Sequence, residues 1–416
     1  MKKITVYADF DFLNSPGEIG ILGYEQVRGK DYFVFQYSNE WLQQHGGILL
    51  SGDLMNIPTL QHPHSTDNVF GFVKDSFPDR WGRMLLDRRE RLTAKQEGRA
   101  KRELTHYDYL IGIEDFSRMG GIRYKEENND DYIHAGNRYP VPPIETIRAL
   151  CDACHEIELA EERNEIPEQR WIDQLIDPGT SLGGARPKSN VIDSDGKLYV
   201  AKFPSKKDLE NTELIEHFSH QLASKAGINA ARTQTVEISK NRNLLLSERF
   251  DRSAEGRRIH FASAMSLLGL DDGAGSSTGN GYLDIVEFIL QGCTEVHHNL
   301  RELYRRVAFN IMFGNTDDHF RNHGFLLTPK GWTLSPAYDI NPGAKTHQSL
   351  LIDAYTEQSD IRALLAASEN YILERQEAET IIEEVRDTIK DWRKTAAELR
   401  IPVKQLSAYS TRWDML

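Results

Sequence analysis

Between Gly314 and Phe325 the chain reads Gly-Asn-Thr-Asp-Asp-His-Phe-Arg-Asn-His-Gly-Phe, which gathers two acids, two histidines and two asparagines into one short polar stretch. Strand-like residues then lead to a second motif, Ser335-Pro-Ala-Tyr-Asp339. An aspartate, an asparagine five positions later and a further aspartate in a following turn make up the residue set that phosphoryl transfer requires. One carboxylate orients the attacking hydroxyl, while an amide and a second carboxylate hold the metal that screens the phosphates. Here those residues are Asp317, Asn322 and Asp339, and His319 or Arg321 can add positive charge near the transferring group. A solvated Asn- and Asp-rich turn has the same composition, so the upstream chain has to discriminate between the two.

Three upstream features bear on that choice. In Thr180-Ser-Leu-Gly-Gly-Ala-Arg-Pro-Lys188, adjacent glycines let backbone N–H groups turn toward an anion. The spacing fits neither a Walker loop nor Gly-x-Gly-x-x-Gly, and a structural turn has the same look. Next, Lys202 lies in an otherwise apolar run, Leu198-Tyr-Val-Ala-Lys-Phe203, where a charge is costly unless paired. Glu213 or Glu216 on the following helix can supply the partner, and the alternative is an edge-strand lysine that snorkels to solvent. Third, Leu244-Leu-Leu-Ser-Glu-Arg-Phe-Asp-Arg252 is a strand that ends in charge just before the helical region. In a two-lobed kinase the connection between lobes offers backbone groups to the adenine, and a strand terminus with a salt bridge is the plainer reading of this stretch alone. Glycine loop, strand lysine, helix glutamate, linker, then Asp…Asn and Asp is the order of a phosphotransferase.

The elements that must position these groups are legible in the apolar periodicity. Residues 1 to about 60 are β-rich, with Ile4, Val6 and Ala8 alternating. A helical stretch between about 70 and 104 presents Trp81, Met84, Leu85 and Arg88 on one face, and another helix covers 144–160. A hairpin runs from Ser189 to Phe203 around Asp195-Gly196, a helix covers 208–226 and closes at Gly227, and strands recur at 233–238 and 243–250. Beyond about 255 the chain turns mainly helical. Leu300, Leu303, Val307, Ala308 and Ile311 form a face leading into the polar loop, and a final stripe runs from Ile381 through Val385, Ile389, Trp392 and Ala396 to Leu399. The expected divisions are 1–140, 141–254 and 255–416, with Pro140, Pro142 and Pro143 marking the first boundary.

Composition narrows the function classes. Among 416 residues, 63 acids face 50 Lys and Arg, a net charge of −13 that argues against high-affinity nucleic-acid binding by the chain itself. The basic run from Arg88 to Arg102 is interleaved with Asp87, Glu90 and Glu97 and reads as a solvated helix face. Cys151-Asp-Ala-Cys154-His155 matches a haem-attachment spacing, but Ile144, Ile147, Cys151, Cys154 and Ile157 recur at helical intervals, so buried helix-face cysteines are expected. No apolar run approaches the roughly 18 residues of a membrane span. The opening Met1-Lys-Lys-Ile-Thr-Val-Tyr-Ala-Asp reads as a strand rather than a secretory signal, and the expected location is the cytoplasm without membrane association.

The ordered run of Ser181-Leu-Gly-Gly-Ala-Arg-Pro-Lys, Val200-Ala-Lys-Phe-Pro, Glu248-Arg-Phe-Asp-Arg, Asn315-Thr-Asp-Asp-His-Phe-Arg-Asn and Ser335-Pro-Ala-Tyr-Asp resembles the HipA family of serine/threonine kinases. These are toxin halves of bacterial toxin–antitoxin pairs. Phe35-Gln-Tyr…Trp41-Leu and Pro78-Asp-Arg-Trp-Gly82 extend the resemblance over the amino-terminal part. It implies an α+β, two-lobed protein-kinase-like fold, with a β-rich small lobe, a helical large lobe and an additional N-terminal α/β subdomain. It also implies ATP, Mg²⁺ and a protein Ser or Thr hydroxyl as acceptor. By position, Asp317 is the catalytic base, and Asn322 and Asp339 are the metal ligands. Gly183, Gly184, Ala185, Arg186, Pro187 and Lys188 cover the phosphates, which Lys202 meets. Glu248 and Phe250 flank the adenine, and Arg249, His319, Phe320, Arg321, Asn322, Tyr338 and Asp339 complete the nucleotide site. Glu216 fits the helix-glutamate position better than Glu213.

Ser181 matches the family's autophosphorylated serine, where a phosphate would add roughly two negative charges and can expel the loop from the site. Departures from the family pattern are Asp318, Arg321 and Pro187. The family's targets include an aminoacyl-tRNA synthetase, so that enzyme or another translation factor is the implied class of substrate. A helix-turn-helix antitoxin is the implied partner, with DNA reached only through it. Two other functions stay open: a weakly active nucleotide-binding corepressor acting through the antitoxin, and a small-molecule kinase.

Overall fold

The computed structural model describes residues 1–134, 141–163, 165, 167–176 and 186–416. They form two compact units, Met1–Leu209 with Val236–Ala262, and Glu210–Thr235 with Ser263–Leu416.

In the first unit, β1 (Lys2–Ala8), β2 (Gly17–Val27), β3 (Lys30–Tyr37) and β4 (Ile122–Glu126) form an antiparallel sheet in the order β3-β2-β1-β4. Ile4, Val6 and Ala8 are buried, as their alternation predicts. Arg28 and Gly29 join β2 to β3 with φ of 53° and 78°, the twin positive values that a two-residue hairpin turn takes. A second sheet, in the order β5-β6-β8-β7, comprises β5 (Lys188–Ile192), β6 (Leu198–Lys202), β7 (Thr233–Ser239) and β8 (Arg242–Glu248). Its Val191, Tyr199, Ala201, Phe203, Leu244 and Leu246 share one core with Trp81, Leu85 and Leu86 of the helix Arg80–Gln96. Leu150, Cys151, Cys154 and Ile157 of the helix Ile147–Glu162 complete that core, so the two cysteines are buried on a helix face.

The compact units therefore do not follow the three expected divisions. Apolar packing runs continuously from Trp81 to Val191, across the boundary expected at Pro140–Pro143. The helix Thr212–Lys225, expected within the small lobe, instead packs against the helices Arg375–Lys390 and Trp392–Glu398 of the second unit.

The chain passes into the second unit at β9 (Phe261–Ser263). There the expected C-terminal stripe is split into two helices at Asp391, with Ile381, Val385 and Ile389 buried on the first, and Trp392 and Ala396 on the second. The helix Val296–Phe309 buries Leu300, Leu303, Val307 and Ala308, then widens into a π turn over Asn310–Gly314. Gly314 has φ +92°, a backbone conformation that demands glycine, and the Arg412 guanidinium lies against the space a Cβ would fill. The chain then crosses the polar loop into the hairpin β10 (Gly324–Thr328) and β11 (Gly331–Leu334).

Candidate active site

The loop that follows Gly314 sends its two adjacent aspartates in opposite directions. Asp317 is exposed, whereas Asp318 is only 4% exposed. A single carboxylate oxygen of Asp318, Oδ2, gathers the Tyr282 hydroxyl at 2.7 Å, the Asn310 amide at 2.8 Å and His323 Nε2 at 2.7 Å. Burial pushes the Asp318 carboxyl up, but His323 beside it and the Tyr282 hydroxyl outweigh that, so it is held below its ordinary value. Asn310 reaches back into the loop as well, its Oδ1 accepting from Asn315 Nδ2 at 3.0 Å.

The far end of the loop is tied as firmly. Asn322 N donates to His319 O at 2.8 Å, Asn322 Nδ2 reaches Asp317 O at 3.3 Å, and Ala264 N donates to His323 O at 2.7 Å. Asn310, Asn315, Asp318, Asn322, His323 and Tyr338 border a cavity of about 20 Å³, room for one water. Phe320 is buried beneath the loop, and Arg321 Nε donates to Asp272 at 3.2 Å.

The second motif is pinned alongside within the same unit. Arg306 Nη2 donates to Ser335 O at 2.7 Å, Ala337 exchanges backbone bonds with Asn229 and Ala231, and the Tyr338 hydroxyl donates to Arg321 O at 2.5 Å. Asp339 follows in the left-handed region at φ +57°, a conformation that costs energy in a non-glycine residue and concentrates at functional sites. Asn341 Nδ2 lies 3.4 Å from its Oδ1. Asn322 and Asp339 carry hard amide and carboxylate oxygens, the donors Mg²⁺ takes. Among the described residues, no group of three or more His, Cys, Asp and Glu side chains could hold a metal ion. Such a donor set fits a Mg²⁺ that keeps most of its coordination for water and phosphate.

The nucleotide residues expected in the first unit are placed differently from one another. Ser181, Gly183, Gly184 and Ala185 lie outside the described residues. Arg186 makes a two-pronged bond to Asp208 at 2.8 and 2.6 Å, and Lys188 Nζ lies 2.8 Å from Asp79 Oδ2. Both of these cations, expected over the phosphates, are therefore held by carboxylates of their own unit. Pro187 O accepts from Phe203 N at 2.9 Å, which joins the start of β5 to the end of β6. Lys202 is half-buried, directly opposite Lys188. Glu248 ends β8, and the Phe250 ring lies tilted by 49° near Phe261, at 6.1 Å between centroids. The Arg249 guanidinium, expected among the nucleotide-binding residues, points into its own unit, donating to Asp251, Ser117 O and Asn190 Oδ1. Glu216 is buried in the second unit, 3.9 Å from His220, and Glu213 is buried there too; Lys202 belongs to the first unit.

Sequence reasoning left Asp318 without a role, and it missed Tyr282 and Asn310. The one available signal was a second acid beside Asp317 that no solvated turn requires.

Comparison with known proteins finds two family models along the chain. A model of the HipA N-terminal domain matches residues 13–102, and one of the HipA-like C-terminal domain matches residues 180–393. A putative kinase of Haemophilus influenzae is 25% identical over 195 residues, covering 42% of this chain and 57% of its own length. The serine/threonine-protein kinase toxin HipA of Shewanella oneidensis is 28% identical over 199 residues, covering 41% and 45%. The matches thus span about half the length of these curated relatives. A solved complex of Shewanella oneidensis HipA, HipB and operator DNA aligns with 99% of this chain and 95% of its own, with a TM-score of 0.63 at 17% identity. That likeness speaks to the fold, which is α+β and kinase-like.

Proposed function

The chain belongs to the HipA family, and from that premise we propose that it is an ATP-dependent kinase acting on a serine or threonine hydroxyl of a protein. The observation that carries this reading is the divergence of two neighbouring aspartates: one buried and held by three donors, the other exposed and free of that task. An exposed carboxylate on a loop fixed from within is what a residue orienting an attacking hydroxyl needs.

In this reading Asp317 accepts the hydroxyl proton, the acceptor oxygen bonds to the γ-phosphorus, and the bond to the β–γ bridging oxygen breaks, releasing ADP. Asn322 and Asp339 would hold Mg²⁺, whose charge screens the phosphates. Lys202 meets the phosphates, and Glu248 and Phe250 flank the adenine. Arg249 acts behind them by fixing the linker. Ser181 is the site of autophosphorylation. The partner is a DNA-binding antitoxin, by analogy with the HipA–HipB–operator complex of Shewanella oneidensis, and without it expression arrests growth.

Incubation of the full chain with γ-labelled ATP and Mg²⁺ tests the reading. Label is expected on the chain itself and on a protein in a cell extract. Asp317→Ala should lower transfer by about a thousandfold or more while nucleotide still binds, and Asp339→Ala should weaken Mg-ATP binding as well. Turnover at the wild-type rate in Asp317→Ala would sink the assignment.

A further inference from the structure

The motif Pro78-Asp-Arg-Trp-Gly82 lies far from the polar loop in sequence, and the reading above gives it no part. Its geometry is nonetheless closely specified. Asp79 Oδ1 accepts from Gly82 N at 2.8 Å and caps the helix Arg80–Gln96. A Cβ at Gly82 would lie 2.8 Å from Pro78 Cβ, so the cap closes only over glycine. Trp81 enters the core that also holds Val191, Tyr199 and Ala201 of β5 and β6. These contacts fix where Asp79 stands.

The other oxygen, Asp79 Oδ2, meets Lys188 Nζ at 2.8 Å, with both side chains only 2% exposed. A pair this dry must be well matched, because neither charge has water to fall back on. Lys188 opens β5, immediately after the glycine-rich Thr180–Pro187 segment. The antiparallel register sets it directly opposite Lys202, and residues so paired leave the sheet on the same face. Two ammonium groups in that relation repel, and more strongly where water is excluded. Asp79 neutralises Lys188 where the two strands carry Lys202 beside it.

We propose that Asp79 is a positioning residue for the nucleotide. Through Lys188 it pins the strand end that follows the glycine-rich segment and sets the charge beside Lys202. A motif of the N-terminal part thereby contributes to the phosphate end of the nucleotide site. This inference rests on the kinase reading.

The test uses the full chain, with calorimetric titration of a non-hydrolysable ATP analogue and Mg²⁺ alongside thermal melting. Asp79→Asn should weaken analogue binding about tenfold and lower the melting temperature, because Lys188 is left buried without its carboxylate. Asp79→Glu should retain most of the affinity. The double variant D79N/K188M removes the lysine charge as well and should recover most of the melting temperature, yet binding should stay weakened by about fivefold or more, since the pin is gone. The double variant carries the test if D79N fails to fold. Affinity that returns to wild type together with the melting temperature would overturn the proposal, leaving Asp79 a purely stabilising residue. Unaltered affinity in a folded D79N would overturn it too. Wild-type chain that binds the analogue but transfers no label would defeat the kinase reading alone; chain that binds no analogue would defeat both.

Discussion

Asp251 in the first unit and Asp318 in the second are both buried carboxylates that several donors converge on, yet the donors differ in kind. Asp251 takes Arg249 at 2.8 and 2.6 Å, Arg252 at 2.6 Å and the Gly120 amide at 2.8 Å. Burial pushes its carboxyl up, but the guanidiniums of Arg249 and Arg252 overwhelm that and hold it far below the usual range. The network continues through Arg258 to Asp115 and Asp9, and through Arg123 to the same two acids. Asp318 is met instead by a phenol, an amide and an imidazole, all on one oxygen. Full charges from several directions clamp distant chain segments together, here residues 115–123 with 249–258. A set of short bonds on one oxygen fixes the orientation of one loop, and with it the outward aim of the next residue. The first arrangement serves stability, the second geometry.

The strongest way to break this contrast is Asp251→Ala. It removes the carboxylate that Arg249 and Arg252 share and should cost about 3–5 kcal/mol in chemical denaturation. A loss below about 1 kcal/mol would mean that water or backbone carbonyls satisfy the two guanidiniums, and the clamp would be no clamp. Asp318→Asn sharpens the other side. It keeps the shape but places a donor where acceptors are needed, so stability should fall by only about 1–3 kcal/mol. Phosphoryl transfer should nevertheless drop by about tenfold or more, since a small displacement of Asp317 is expensive in rate. Equal losses of stability and transfer in both variants would erase the distinction.

Acid separates the two kinds of contact from a third. His217 donates to or accepts from Thr233 at 2.9 Å, and burial, with His220 beside it, pushes its pKa down to about 4. Between its ordinary 6.5 and about 4, the unfolded chain therefore binds a proton that the folded chain refuses. Its contribution is complete above pH 6.5 and is lost as pH falls toward 4. Both aspartates have lowered pKa values, so their contributions persist to below the usual carboxylate value of 3.8 and disappear only under stronger acid. Stability measured from pH 7 to 4.5 should fall by on the order of 1 kcal/mol through His217, after allowance for its partial solvent access, and His217→Gln should flatten that slope. An unchanged slope in the variant would assign the titration elsewhere.

The sequence alone made much of this legible, for reasons that also explain its limits. Apolar periodicity exposed the helix before the polar loop, because Leu300, Leu303 and Val307 must all face one core. Asp317, Asn322 and Asp339 could be picked out because their roles depend on side-chain chemistry at short spacing. The hub around Asp318 could not, since Tyr282 stands 36 residues away and nothing local marks the two as partners. Asp251 and Gly120 are 131 residues apart. The proline cluster near 140 does signal a break in local structure, but it carries no information about packing. The core joining Trp81 to Val191 passes over it. The place of Arg249 in a motif marks it for the nucleotide, whereas its burial is decided by contacts with residues 117–119.

Asp317→Ala should be the smallest perturbation of the fold and the largest of function. The side chain is exposed, and the loop's fixed points are the Asp318 hub, the Asn322 N to His319 O bond and the Ala264 N to His323 O bond, none of which uses the Asp317 carboxylate. Asn322 Nδ2 reaches the backbone oxygen of Asp317, which alanine retains. The melting temperature should therefore stay within about 2 °C of wild type, as for surface substitutions that break no buried contact. A shift several times larger would show that the carboxylate helps to hold the loop. Asp317 and Asp318 would then no longer divide the work between chemistry and support.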